Sequence, residues 1–226
     1  QWIFKAGHPE IKVGFEWDSK NKMAKVRLDQ TQKKDVLTPI HQINSFVEFF
    51  FEDGKSHKVP LVMDSAVKNL VVPFEKEPMA MRFDSENRIL KTVQWELSEK
   101  MIGEQLKLAG DVVGKIWAMK TLVKKATIKG QDLLGEALKT DSFWGVRKEA
   151  ALMLGKINSQ RAFNHLCEAA KKEKDSRVRA GIATALGNFR TESAFDQLVL
   201  LTGDSEPTIV RAKAAEAIGK TRFAKA

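Results

Sequence analysis

The stretch "DSRVRAGIATALGN", Asp175–Asn188, has two near copies in the same chain: "DSFWGVRKEAALMLGK", Asp141–Lys156, and "DSEPTIVRAKAAEAIGK", Asp204–Lys220. Arg147, Arg179 and Arg211 stand 32 residues apart, and so do Val146, Val178 and Val210. Ala151, Ala183 and Ala215 keep the same step, as do Leu154, Leu186 and Ile218, and Gly155, Gly187 and Gly219. The intervening segments follow: Leu134, Leu166 and Leu198 align, and Ala162-Phe163 return as Ala194-Phe195. A weaker first copy fits the frame with Lys115, Met119 and Leu122. A period of 32 predicts stacked helix pairs, because one pair cannot bury its apolar stripe without a neighbour. Small residues at Ala150, Ala151, Ala183, Ala185, Ala215 and Ala217 suit close approach between helices. On this reading each Gly ends the first helix of its pair in the left-handed conformation.

Each repeated Arg follows Val and has an Asp a few residues ahead: Asp141, Asp175 and Asp204. One Arg per unit at one internal position predicts a structural ladder, in which Arg147, Arg179 and Arg211 bond acidic groups and carbonyls of adjacent turns. The competing reading is a row of Arg facing phosphates. The ladder is favoured, since it requires this one-per-unit placement.

Upstream, the period is two. "IKVGFEWD" sets Ile11, Val13, Phe15 and Trp17 on one face, and "MAKVRLDQ" returns with Ala24, Val26 and Leu28. "SFVEFFFEDG" reads as a central strand ending at the Asp53-Gly54 turn. Pro60 places "HKVPLVMD" at an edge or a bulge. With "NLVVPFE" and "MAMRFD", six or seven short strands predict an antiparallel, Ig-like β-sandwich over residues 1–92. Beyond it, Ser98 is a candidate N-cap for a helix carrying Met101, Ile102 and Leu106. Residues 93–226 are then the α-solenoid.

The 226 residues are 43% hydrophobic and 30% charged, an ordinary globular composition. No apolar run is long enough to cross a membrane as a helix. Cys167 is the single cysteine, which excludes an internal disulfide and suits a reducing, cytoplasmic setting. The net charge is +9; residues 93–226 hold +7 of it (23 basic, 16 acidic) and residues 1–92 hold +2 (15 basic, 13 acidic). The chain opens at Gln1, and only "RFAKA" follows Thr221, so the expectation is a piece of a longer protein, cut at both ends.

Catalytic motifs do not emerge. His8, His41, His57 and His165 form no H-E-x-x-H, and the pair His165/Cys167 lacks the second pair a structural zinc needs. There is no G-x-S-x-G, no phosphate-binding G-x-x-x-x-G-K-[ST] and no G-x-G-x-x-G. Trp95, Trp117 and Trp144, like Phe163 and Phe195, read as packing residues. No catalytic, metal or cofactor-binding residue is assigned.

The opening "QWIFKAGHPEIKVGFEWD" resembles the point where zinc aminopeptidases of the aminopeptidase N and leukotriene hydrolase family leave their catalytic domain. In that family a Trp, a spacer and Gly-x-Pro precede the first strand of a β-sandwich; Trp2, Gly7, His8 and Pro9 fit that junction. "FEDG" and "MRFDSENRILK" look like the end of that sandwich, and "LKLAGDVVGKIWAMKTL" resembles the HEAT-like repeats that follow it. The resemblance implies that residues 1–9 are the tail of a preceding catalytic domain. It also implies that zinc belongs to that absent domain, because its H-E-x-x-H, distant Glu and G-A-M-E-N-like loop are missing here. A related non-enzymatic branch, in a general transcription factor, shares this architecture.

The resulting expectation is a non-catalytic C-terminal part of a zinc aminopeptidase-like metallopeptidase. Its partner would be the catalytic domain in cis, and its role would be to enclose the active site and gate peptide access. The alternative is a HEAT-repeat scaffold for a protein or nucleic-acid partner; nucleic acid is the less favoured, and no membrane partner is expected.

Overall fold

Strand β1 (Glu10–Asp18) buries Ile11 and Val13 and leaves Phe15 and Trp17 half-buried, so its outer end is the more exposed. The computed structural model describes residues 6–33 and 38–221. At Asp18 the chain reverses. The Asp18 carboxylate accepts the Asn21 backbone N–H at 3.1 Å and the Lys25 ammonium at 2.9 Å, and Lys22 takes a left-handed φ of 53°. Strand β2 (Met23–Gln30) then returns antiparallel, with Val13 opposite Leu28.

Five more strands follow: β3 (Ile43–Phe50), β4 (Ser56–Met63), β5 (Val67–Pro73), β6 (Ala80–Phe83) and β7 (Thr92–Glu96). They form a four-stranded sheet in the order β5-β2-β1-β7 and a three-stranded sheet in the order β4-β3-β6. Central β3 is buried along most of its length, Phe49 fully. Pro60 lies in the edge strand β4, where a residue without an N–H can be tolerated. Buried Ala24, Val26 and Leu28 of β2, Leu61 and Met63 of β4, and Phe83 of β6 complete the core of this unit.

The arrangement is not wholly antiparallel. Strand β7 pairs parallel with β1, Val13 beside Trp95. A parallel pair needs a long crossover, and here all the intervening strands supply it. The expected end of the sandwich at residue 92 differs as well. Strand β7 starts at Thr92, and helix α1 (Glu99–Leu108) packs on β6. The compact units accordingly divide at 1–108 and 109–226. Period-two patterning fades early because β7 is an edge strand of alternating exposed and half-buried residues.

The second unit is helical: α2 (Val112–Lys125), α3 (Ile128–Thr140), α4 (Trp144–Ile157), α5 (Gln160–Lys172), α6 (Ser176–Leu186), α7 (Glu192–Leu200) and α8 (Thr208–Thr221). Helix α4 packs on α2, α6 on α4 and α8 on α6, while α3 packs on α5. Helices α3, α5 and α7 begin alike. Thr127, Ser159 and Thr191 each accept the N–H of the residue three further on, Gly130, Ala162 and Ala194, which satisfies an otherwise orphaned donor.

The repeated glycines do not end helices in the left-handed form. Helix α4 runs past Gly155 to a left-handed Asn158 (φ 53°), and Gly187 has a right-handed φ of −62°. Their lack of a side chain serves packing. A Cβ on Gly155 would lie 2.8 Å from Ala185 Cα, and one on Gly187 would lie 2.8 Å from Ala217 Cβ.

Candidate functional site

The most regular polar feature is a row of contacts between successive helical units. Lys115 of α2 donates to Asp141 Oδ2 at 2.5 Å. Arg147 of α4 reaches across one unit further: Nε to Glu173 Oε2 at 2.7 Å and Nη2 to Oε1 at 3.1 Å. Its Nη1 donates to the carbonyls of Asp141 at 2.9 Å and Ser142 at 3.2 Å. Arg179 of α6 repeats the scheme. It gives Nε to Glu206 Oε2 at 2.9 Å, Nη2 to Glu206 Oε1, and Nη1 to the carbonyls of Ala170 (2.6 Å) and Glu173 (3.0 Å). Planar guanidinium forks on carboxylates of this kind are strong and directional.

The carboxylates on the Arg forks are Glu173 and Glu206, not the Asp residues of the sequence expectation. Asp175 accepts the Arg177 N–H and pairs with the Arg177 side chain, which holds its carboxyl down at about 2. Its short side chain is thereby engaged, whereas the longer Glu173 reaches back to the previous unit. Asp141 serves Lys115 with its carboxylate and Arg147 with its carbonyl. Asp204 meets Arg211 at 3.3 Å, at the exposed end of the row. Burial pushes the Glu173 carboxyl up, but Arg147 and the N–H groups of Asp175 and Lys174 outweigh it and hold it below the ordinary value. The Glu173 carboxylate in turn raises Arg147.

Glu173, Glu206 and the three caps were the residues that sequence reasoning missed. Thr127, Ser159 and Thr191 recur at the step of the repeat and were legible there. Glu173 and Glu206 lie 26 and 27 residues after their Arg partners, an offset that shows only once the units are stacked.

The other candidates lie apart. Gly7 is left-handed (φ 77°) against Thr38, His8 Nε2 lies 2.9 Å from Thr92 Oγ1, and the Pro9 carbonyl accepts the Thr92 N–H at 3.0 Å. This motif fastens the start of β7 beside β1. Trp2 lies outside the described residues. His165 Nε2 sits 3.0 Å from Asp132, which Arg161 also holds, while burial keeps His41 below its ordinary pKa. Among the described residues there is no group of three or more His, Cys, Asp or Glu that could hold a metal ion.

A cavity of about 620 Å³ opens in the first unit beside Phe51, His57 and Phe74, whose rings lie 5.0 and 5.7 Å apart about Phe74. Glu52, Glu77 and Lys100 stand at its rim. It brings apolar surface and charges of both signs together, and the Ser56 hydroxyl on its lining donates to Glu48 Oε1 at 2.7 Å.

Against this geometry stand the likenesses to known proteins. Residues 111–221 match the family described as HEAT repeats. No curated protein matches the sequence. The structure is similar to Legionella pneumophila aminopeptidase A, solved in complex with aspartic acid, with a TM-score of 0.64 and 12% identity over 97% of this chain and 33% of that one. It is also similar to human deoxyhypusine hydroxylase, with a TM-score of 0.50 and 23% identity over 56% of this chain and 44% of that one. The chain thus spans about a third of the length of the aminopeptidase it resembles. At these identities the likeness is one of fold. No helix among the described residues is long and apolar enough to cross a membrane.

Proposed function

We propose that this chain is a non-catalytic segment, Ig-like sandwich then HEAT-like solenoid, of a zinc aminopeptidase-like metallopeptidase. One observation carries the reading: 97% of the chain, strands and helices in one order, follows the fold of part of an aminopeptidase. Zinc and catalysis belong to a domain that this chain lacks, and that domain is the partner in cis. The helical unit helps to enclose the active site and restricts which peptides enter.

The helix starts support the 32-residue step: Val112, Trp144, Ser176 and Thr208 for one layer, Ile128, Gln160 and Glu192 for the other. The ladder reading rests on the engagement of Arg147 and Arg179 with carboxylates and carbonyls. That engagement leaves neither fork turned to a phosphate and weighs against the nucleic-acid scaffold.

The test uses a longer polypeptide that carries this chain. It should release N-terminal residues in a chelator-sensitive manner, and deleting residues 109–226 should alter the ratio of kcat/KM between short and long peptides. An unchanged ratio would overturn the gating role. Absence of any peptidase activity, joined with salt-dependent binding to RNA or DNA, would favour the scaffold.

A further inference from the structure

The row of contacts has an unfinished end. Lys115, Arg147 and Arg179 each reach a carboxylate that precedes the helix of the following unit. Their partners Asp141, Glu173 and Glu206 stand two or three residues ahead of α4, α6 and α8. Arg211 occupies the same internal position in α8. Its Nη1 makes one 3.3 Å contact with Asp204 of its own loop, and its Nε is buried with no hydrogen-bond partner. In Arg147 and Arg179 that same Nε carries the bond to the next unit's carboxylate.

The steric side of the same face agrees. On α4, Ala151, Leu154 and Gly155 are covered, and the Gly is met by Ala185 of α6. On α6, Ala183, Leu186 and Gly187 are covered, and the Gly is met by Ala217 of α8. On α8 the corresponding Ala215 and Gly219 are exposed, Ile218 is half-exposed, and a Cβ on Gly219 would meet nothing within 4 Å. Arg211 and Gly219 lie about 12 Å apart along the axis, from 1.5 Å per residue. Arg179 and Gly187 are separated by the same number of residues.

We infer that this face of α8 is a docking surface for a helical protein segment of defined chemistry. The segment carries an acidic side chain two or three residues ahead of its helix, which takes the Arg211 fork. It carries a small residue 11 or 12 positions after that acid, which seats on Gly219. That is the spacing from Glu206 to Ala217 and from Glu173 to Ala185. The chain shows this occupant twice, on α4 and on α6, and the buried, unpartnered Nε supplies the charge complementarity. The surface is independent of the peptidase reading.

The probe is a synthetic peptide copying residues 190–221, the unit that seats on α6, labelled and titrated into the full chain. Saturable binding is expected, weakened at least tenfold by Arg211→Ala or Gly219→Leu in the protein and by Glu206→Gln in the peptide. Arg211 is half-buried and Gly219 exposed, and thermal melts check that both variants fold. No binding at millimolar peptide, or binding indifferent to all three changes, would overturn the inference. So would a dimer in sedimentation that Arg211→Ala abolishes, since the occupant would then be a second copy.

Discussion

Gly187 and Ala217 touch so closely that a methyl group on Gly187 would lie 2.8 Å from the Ala217 Cβ. Gly155 stands in the same relation to Ala185, and Gly219 has nothing within 4 Å. One substitution at three equivalent positions should therefore have two signs. Overpacking at Gly155→Ala and Gly187→Ala should destabilise by about 1–3 kcal/mol, beyond the helix-propensity gain. Gly219→Ala meets open space and should stabilise by at most about 1 kcal/mol. Urea melts of the three variants check this; a uniform sign would refute the packing account.

Arg179 satisfies two carbonyls and both oxygens of Glu206, with each side chain of the pair 15% exposed. Arg179→Ala leaves a mostly buried carboxylate and two carbonyls behind, and should cost about 2–4 kcal/mol. Arg211, 40% exposed beside a fully exposed Asp204, should change the melting temperature little when replaced by Ala. Equal losses at the two positions would contradict the rung geometry.

The same rungs set an acid limit. Glu173 is held below its ordinary 4.5 in the folded chain, and Asp175 is held at about 2. As pH falls below the ordinary carboxylate values, the unfolded chain takes up protons that the folded chain still excludes. Stability therefore falls with pH until the folded values are passed. The contribution is fully present above pH 5 and decays toward pH 2. Glu173→Gln should flatten that slope in melts between pH 5 and 3, and an unaltered slope would remove Glu173 from the linkage.

In the first unit, Lys91 and Asp84 pair with side-chain exposures of 1% and 0%. Asp84 also accepts the Ser45 hydroxyl and the N–H groups of Arg88 and Ile89. Removing only the cation strands a buried charge, so Lys91→Met should cost about 3–5 kcal/mol. A double change that makes Asp84 neutral as well should recover part of the loss.

Burial pushes the Cys167 thiol up to about 11. The thiolate is the reactive form, so alkylation at pH 8 should run about 100-fold slower in the folded chain than in denaturant. Comparable rates in the two states would show that the thiol is open to solvent.

Much of the helical unit was readable from spacing alone. Repeated Val, Arg, Ala and Leu reveal like surroundings on α4 and α6, because stacking places a similar neighbour beside each of these copies. The sheets were less legible at their margins. Thr92–Glu96 is a short edge strand whose alternation is weak, and its parallel partner β1 is remote in sequence. The role of the glycines was misread for a local reason. A Gly near a helix end suggests a left-handed cap, and only the neighbouring helix shows that the missing side chain makes room for Ala185 or Ala217.

The amino-acid sequence by itself determined the two-part organisation, the repeat and the candidate Arg row, because hydrophobic periodicity and self-similarity are local properties of a chain. Tertiary structure decided which carboxylates the Arg forks hold, which glycines are packed, and which face of α8 stays open. Each of those depends on contacts between helices whose residues are far apart in the chain, and no spacing within one helix encodes them.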